Sequence, residues 1–570
     1  MENHDIKKPC LVETRRGFSV LYDNKFLYSK YAPEDSINKV IETLEFLPGT
    51  LILVFSPILG YGLEKLFDKL PENCFVLAIE KETILYDFSL QCHESKLPSL
   101  ISSKQNFLYL NSSNAIEIAK VINNIETNTN LNGNKFPKLG NFRRSLPIEL
   151  SGGCLFSQNF YKELTSIVNE SISQFWKNRT TLIKLGRLYA GNFFKNLKDI
   201  AKSPNNTYTL EDLSQECFSK TILVLGTGLS LENLLEKLKQ YLSDKEFREK
   251  LYIIAVDASL PVLKQHKIKP DLVVGVEGQL AIEKAYIGSN NSKLTFAQDL
   301  LSRPSIKRTL KGKTAYFLSQ YTNESFFTDF NAIVNKLNIP TIEALGSVGL
   351  VAIEIALLMR QQNTNIFFAG LDFSFLPGKT HSNGAPIHSN LLSNCTKISP
   401  LYQLSSSFND SNFFISGKSS LQNPEIKELT SKALFSYGQH FSKRYKTTKN
   451  LYDLSDFGIV TEIPQKDFTF LINSIKNSTT SLKIISNSKA KETQTVSFVK
   501  DFLQEHHKKL LKIKNILIGH TPPTELEELL TQCGYLYLHF PDGHLGANTD
   551  VNFLKRIRAE INYFLKITSL

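Results

Sequence analysis

Two spacings of apolar residues alternate along the chain. Near the N-terminus, the continuous runs Thr50 to Phe55 and "CFVLAIE" bracket a turn through Ser56-Pro57-Ile58-Leu59-Gly60-Tyr61-Gly62 and a helical "LEKLFDKL". This order predicts a β-α-β unit with Glu80 ending its second strand. An acid at that place can accept a ribose hydroxyl, but a G-x-G-x-x-G spacing is absent, so a nucleotide-binding unit and a purely structural one are both open. An Asn-rich break from Glu126 to Asn141 follows, and apolar residues at three and four spacing from Phe156 to Ile200 then predict helices joining two domains.

After the polar "SPNNTYTLEDLSQE", the pattern becomes "TILVLG", a Leu231 to Leu242 helix, "LYIIAVD", a helical turn from Pro261 to His266, and "DLVVGVEG". Further on come "TAYFLS", a helix beginning near Gly346, and "NIFFAGLDF". Strands alternating with helices predict a parallel sheet covered on both faces. Beyond Leu401 the chain is Ser/Asn-rich and then helical, ending in "FLQEHHKKLLKIKNIL" and "VNFLKRIRAEINYFLKI". The expected class is α/β: an N-terminal Rossmann-like domain over 1–145, a helical connector over 146–215, a central Rossmann-like nucleotide-binding domain over 216–400, and a mostly helical region over 401–570.

Length and composition narrow this picture. A chain of 570 residues exceeds one ordinary core. Its formal charge of +11 is spread along the length without a basic block, which reads first as an ordinary solvated surface, then as a mild bias toward anionic ligands or surfaces, with nucleic acid a minority option. The seven cysteines lie far apart, with no C-x-x-C and no zinc-type His/Cys spacing. No apolar run follows the charged N-terminus, and no window reaches the roughly 18 apolar residues of a membrane span. A soluble, cytoplasmic protein is expected.

Ligands of open parallel sheets settle beyond the carboxyl ends of the strands. Four such ends carry chemistry: Gly226-Thr227-Gly228-Leu229-Ser230, Asp257-Ala258-Ser259, Glu277-Gly278 and Gly370-Leu371-Asp372. Glycines allow close backbone approach, and the helix after the first turn aims unsatisfied N–H groups at an anion. Ser230 either caps that helix or touches a phosphate. Asp257 and Glu277 each end an apolar strand, where a carboxylate must be hydrogen-bonded or solvated at a cleft; turn capping is the alternative. The loop Gly370 to His388 adds Lys379, Thr380, His381 and His388, of which His381 is the candidate general base.

Some matches fail. Gly378-Lys379-Thr380 is no Walker motif, because the glycine required five positions before Gly378 is Phe373. Asp456-Phe457-Gly458 has no H-R-D or V-A-I-K companion, so it is no kinase element. A D-x-D pair is absent, and the motifs imply no metal site, leaving the need for a divalent ion open.

The segments "ILVLGTGLSL", "IIAVDASLPVLKQHKIKPDLVVGVEGQ", "EALGSVGLVAIEIAL" and "IFFAGLDFSFLPGKTHSNG", in this order, resemble the core of the motility-associated factor (Maf) proteins, bacterial flagellin glycosyltransferases. The resemblance runs from Lys220 to Gly384, with fainter likeness in the N-terminal unit and at "LYDLSDFGI". It implies a sialyltransferase-like core that moves a nonulosonic, sialic-acid-like sugar from a CMP donor to Ser or Thr of flagellin or another surface protein. On matching positions, Gly226, Thr227, Gly228 and Ser230 would meet the CMP phosphate. Asp257, Ala258, Gly346 and Ser347 would line the nucleotide pocket, and Lys379 or Thr380 would assist the leaving phosphate. His381, Asp372 or Glu277 would be the base. Glu277 stands where the family pattern more often has Asp, and Leu229 where Pro is usual. The same core resembles archaeal 6-hydroxymethylpterin diphosphokinase, which implies pyrophosphoryl transfer from ATP as the alternative. A flagellin-associated binding protein without turnover is a third reading.

Overall fold

The computed structural model describes residues 8–123, 136–290, 292–321, 326–327, 330–361, 363–423, 425–478, 489–520 and 523–569. The greater part of the Asn-rich break, 126–135, lies outside them. The chain divides into two compact units, Met1–Thr181 and Leu182–Leu570.

The first unit opens with an antiparallel sheet of β1 (Cys10–Thr14), β2 (Gly17–Tyr22) and β3 (Lys25–Phe26). A parallel sheet follows, ordered β6-β5-β4-β7, from β4 (Thr50–Phe55), β5 (Phe75–Glu80), β6 (Phe107–Asn111) and β7 (Arg144–Glu149). Every residue of β4 and β5 is buried, because their side chains feed two cores. Leu51, Leu53, Leu77 and Ile79 join one core, whereas Ile52, Val54, Val76 and Ala78 join the other. Burial on both faces explains why these strands read as unbroken apolar runs.

Sheet order reverses between β4 and β7, the place where such a unit would take a ligand. Here the protein's own groups fill it. Ser56 Oγ donates to Glu80 Oε2 at 2.5 Å, the Glu82 amide donates to Glu80 Oε1 at 2.9 Å, and Ser151 Oγ donates to the Ser56 carbonyl at 2.7 Å. Glu80 is buried, which pushes its carboxyl up to about 7. The strand-end acid is spent on holding its own turn, which favours the structural of the two readings.

The second unit is built on one parallel sheet. Its strands are β8 (Thr207–Tyr208), β9 (Thr221–Leu225), β10 (Leu251–Val256), β11 (Leu272–Gly275), β12 (Thr295–Asp299), β13 (Thr314–Gln320), β14 (Thr341–Glu343) and β15 (Ile366–Ala369), with β18 (Leu451–Asp453) added from beyond a β16–β17 hairpin (Phe413–Ile415, Glu428–Thr430). The order is β14-β13-β12-β11-β10-β9-β15-β18, with β8 beside β13. Alternation again sorts side chains between two cores: Ile222, Val224, Ile254 and Phe368 face one, Leu223, Leu225, Ile253 and Phe367 the other. The Val348–Met359 helix packs in the first core and the Ser230–Lys239 helix in the second. This is the α/β class expected, with a covered parallel sheet and a largely helical C-terminal region. That region also supplies β18, whose three residues, Leu-Tyr-Asp, are too few to show a period.

The predicted helices between Phe156 and Ile200 form one continuous helix, Gln158–Lys202. In the second unit its Leu182–Lys202 portion packs with the Lys489–Leu517 and Val551–Thr568 helices through Phe193, Phe194, Leu503, Leu510, Ile557 and Phe564. The terminal apolar stripes therefore belong to this core. Its polar face is equally committed: Asn196 Nδ2 donates to the Leu300 and Ser302 carbonyls at 2.8 and 3.0 Å, and Asn192 Nδ2 donates to the Leu301 carbonyl at 3.0 Å. These amides anchor the loop after β12.

Asn196→Leu leaves two buried carbonyls without their donor, each unmade bond costing about 1–3 kcal/mol. Calorimetry is expected to show a lowered melting temperature for the transition of the second unit, and an unchanged melting temperature would contradict the anchoring role.

Candidate functional site

The switch point of the large sheet lies between β9 and β15, since the strands β10 to β14 continue to one side and β18 to the other. At this seam the glycine turn and the Gly370 loop run in contact. The Gly226 amide donates to the Ala369 carbonyl and the Gly228 amide to the Gly370 carbonyl, both at 2.8 Å. A Cβ on Gly226 would lie 2.2 Å from the Gly370 oxygen, and one on Gly228 would lie 2.4 Å from Asp372 Oδ2. The glycines are thus required by the protein's own close approach.

Ser230 and Asp372 complete the seam. The Ser230 amide, at the start of the Ser230–Lys239 helix, donates to Asp372 Oδ2 at 2.9 Å, and Ser230 Oγ donates to Asp372 Oδ1 while accepting from the Gly370 amide at 2.9 Å. Asp372 is buried, so its carboxyl rises to about 7 despite these bonds. A carboxylate from β15's loop thereby meets the positive end of the helix dipole. Both of its oxygens are occupied in this arrangement. Nor does Ser230 stand open to a phosphate. The amides of Thr227 and Leu229 carry no hydrogen bond among the described residues, and Thr227 is half-buried.

The loop after Asp372 folds back over the glycine turn. The Ser382 amide donates to the Thr227 carbonyl at 2.9 Å, and Ser382 Oγ donates to the Gly228 carbonyl. Neighbouring His381 is therefore held beside the turn, with Nδ1 3.0 Å from Thr380 Oγ1. Burial lowers its pKa, and nearby His388 adds to this, so His381 is neutral at pH 7 and able to accept a proton. His388 is buried with Nδ1 unpartnered among the described residues. Lys379 Nζ donates to Glu232 Oε2 at 2.8 Å, and Glu232 Oε1 accepts the Asn383 amide at 2.6 Å. Lys379 is an ion-paired brace between loop and helix.

A row of acids continues along the same edge. Asp257, after β10, is buried and accepts the Ala258 amide at 2.7 Å; burial first, then the charge of Glu277 after β11, pushes it up to about 7. Half-buried Glu277 accepts the Gln279 amide at 2.8 Å. Asp299, ending β12, accepts the Leu301 and Ser319 amides and rises to about 6 through burial. Tyr189 and Tyr321, with hydroxyls 3.3 Å apart, feel both Glu277 and Asp299. With neighbouring strands about 4.8 Å apart, the end of β10 is about 10 Å from that of β15.

Gly346 and Ser347 enter from β14. Ser347 Oγ accepts the Gly349 amide at 3.3 Å and caps the Val348–Met359 helix, while Gly346 lies against the Tyr437 ring. Leu371 joins this helix start to the seam, since Cβ atoms on Gly349 and Gly226 would lie 2.2 and 2.7 Å from its Cδ2. Two helix N-termini therefore converge near Leu371.

The fold thus gathers on one edge the unbonded Thr227 and Leu229 amides, a neutral histidine, and the buried Asp257 carboxyl with half-buried Glu277 near it. Several contributors escaped the sequence reading. Asp299 and Asp453 close β12 and β18, but "TFAQD" and "LYD" lack the long apolar run that drew notice to Asp257. Lys418 Nζ donates to Asp453 Oδ2 at 2.5 Å and Glu428 accepts from Ser374, Ser419 and Gly458, a buried network behind Asp372 with no local signature. A polar cavity of 420 Å³ opens at the opposite, amino edge, beside Lys220, Thr221 and Asn365; its chemistry is that of amides and hydroxyls. Among the described residues no three His, Cys, Asp or Glu side chains are grouped to hold a metal, and no helix is long and apolar enough to cross a membrane.

Because folded Asp257 keeps its proton where the unfolded chain has lost it, it lowers stability as pH rises from about 4 to about 7. Asp257→Asn removes this contribution. Its melting temperature relative to the unchanged protein is expected to climb from about pH 4 to about pH 8, and parallel curves would contradict a raised pKa.

Residues 191–378 match the family described as 6-hydroxymethylpterin diphosphokinase MptE-like. An uncharacterized protein of Treponema pallidum (strain Nichols) is 30% identical over 580 residues, covering 98% of this chain and 95% of that protein. The structure of a Maf glycosyltransferase from Magnetospirillum magneticum AMB-1 superposes with a TM-score of 0.49 at 13% identity, covering 98% of this chain and 91% of that one. The chain belongs to the family of the Treponema protein and carries an MptE-like domain at its centre, in keeping with the MptE-like resemblance of its motifs.

Proposed function

We propose that the carboxyl edge of the large sheet binds a CMP-activated nonulosonic sugar and transfers the sugar to a Ser or Thr hydroxyl of flagellin or another surface protein. The observation that carries this reading is the gathering of the Maf-like segments. Those around Gly226, Asp257, Glu277 and Gly370 end four neighbouring strands at the switch point, and the segment at Gly346 reaches the seam through Leu371.

In this reading the acceptor oxygen attacks the anomeric carbon, the bond from that carbon to the phosphate oxygen breaks, and CMP leaves with the electron pair. The Thr227 and Leu229 amides and the two helix N-termini would stabilise the departing phosphate. His381 would take the hydroxyl proton. Asp257 and Glu277 would bind hydroxyls of the nucleoside or sugar, with Asp257, whose pKa burial raises, able to donate when protonated. Asp372 and Lys379 would act through the turn they hold. The MptE-like match favours a second reading, pyrophosphoryl transfer from ATP to a pterin alcohol at the same edge.

Calorimetric titration with CMP and ATP separates the two. CMP is expected to bind and ATP to bind weakly or not at all, while preferential ATP binding would favour the pterin reading. A substitution at Gly228 would break the seam itself and is a poor probe. His381→Ala is expected to slow glycan transfer, followed by acceptor intact mass, by about 10²–10⁴-fold with CMP affinity little changed. Transfer at the unchanged rate would remove His381 as base.

A further inference from the structure

The first unit holds a basic pocket that the transferase reading does not use. It has a volume of 540 Å³ and is formed where β7 begins, against the Gln158–Thr181 portion of the long helix. Arg143, Arg144 and Lys177 line it, together with Trp176, Ile172 and Ser173, and none of the described residues lining it is acidic. Neither Arg143 nor Arg144 forms an ion pair with any described residue. The Arg143 and Arg144 guanidiniums, like charges facing one depression, repel one another, and an anion of suitable shape relieves the repulsion.

The pocket is also ordered in advance. Trp176 Nε1 donates to the Phe142 carbonyl at 2.7 Å, which fixes the indole. The Arg143 guanidinium lies over that ring, 3.3 Å from its centroid, so its fork is held flat with its donor edge still to be used. Ser145 Oγ donates to Asn169 Oδ1 at 2.8 Å, leaving the Asn169 amide group on the pocket wall as a further donor. Two guanidinium forks match the oxygen geometry of a phosphate. The volume falls in the range of about 300–1,000 Å³ usual for small-molecule sites and is far more than a bare phosphate fills. Ile172 and the indole give an apolar wall for an organic body.

We propose that this pocket binds the phosphate monoester of a small organic molecule, with the phosphate held by Arg143 and Arg144, Lys177 adding charge, and the organic group against Trp176.

Trp176 is the single tryptophan of the 570-residue chain, so tryptophan emission reports this pocket alone. Full-length protein would be titrated at constant ionic strength with phenyl phosphate, inorganic phosphate and sulfate. Saturable change is expected with phenyl phosphate, with inorganic phosphate and sulfate weaker by about tenfold or more. Arg144→Gln, at an exposed position, is expected to weaken phenyl phosphate by about tenfold with an unchanged melting temperature, and Arg143→Met by at least as much. Raised salt should weaken binding further. Absence of saturation, equal affinity for inorganic phosphate, or an unaltered Arg144→Gln titration would each overturn the proposal. So would tighter response to single-stranded nucleic acid or to anionic lipid vesicles, which would mark a macromolecular surface.

Discussion

The seam between β9 and β15 is the constraint on which the carboxyl edge of the second unit's sheet depends. Two parallel strands whose chains continue to opposite sides of the sheet can carry adjoining loops only if their backbones come within hydrogen-bonding reach just past the last pair. Gly226 and Gly228 permit that approach, and the Ser230–Asp372 pair locks it. Asp372 meets the helix N-terminus, Ser382 fastens the following loop to the same turn, and His381 is placed in consequence. A side chain on either glycine would collide with backbone or carboxylate, so this edge cannot form around a larger residue without moving both loops.

Burying acids along such an edge is costly, and the structure offsets the cost locally. Asp257, Asp299 and Asp372 each accept amide or hydroxyl donors from the segment just beyond a strand, yet burial still dominates and raises all three. Behind Asp372, the Lys418–Asp453 pair and the bonds to Glu428 bind the C-terminal segment to the β15 loop. On the other side, Asn192 and Asn196 tie the loop after β12 to a helix that the terminal helices enclose. The helical C-terminal region therefore supports the site from a distance, through the helix it packs against.

The two units use one device to different ends. Each has parallel strands whose order reverses at a glycine-containing turn. In the first unit the strand-end acid Glu80 is consumed by Ser56 and Glu82, whereas in the second Glu277 and His381 remain half-buried at the edge. The difference lies in what covers the turn. Tyr28 of the first unit donates to the Pro57 carbonyl and accepts the Leu59 amide, closing the turn with its own side chain.

The sequence by itself determined the strands that are buried on both faces and the chemistry at their ends. Both are local properties: "TLILVF", "TILVLG" and "LYIIAVD" need no partner to be recognised, and a glycine turn or a terminal acid is visible wherever such a run stops. Helix starts at Ser230 and Val348 were legible for the same reason. Tertiary structure decided which ends adjoin, and so which roles remain open. Gly226 meets Gly370 across 144 positions of chain, and both oxygens of Asp372, a candidate base by its place after a strand, are bonded because Ser230 reaches it from the start of the helix after β9. Lys418 and Glu428 had no readable signal, since buried polar partners acquire their meaning only from the neighbours that desolvate and pair them, and β18, inside the "LYDLSDFGI" likeness, is too short to be read as a strand.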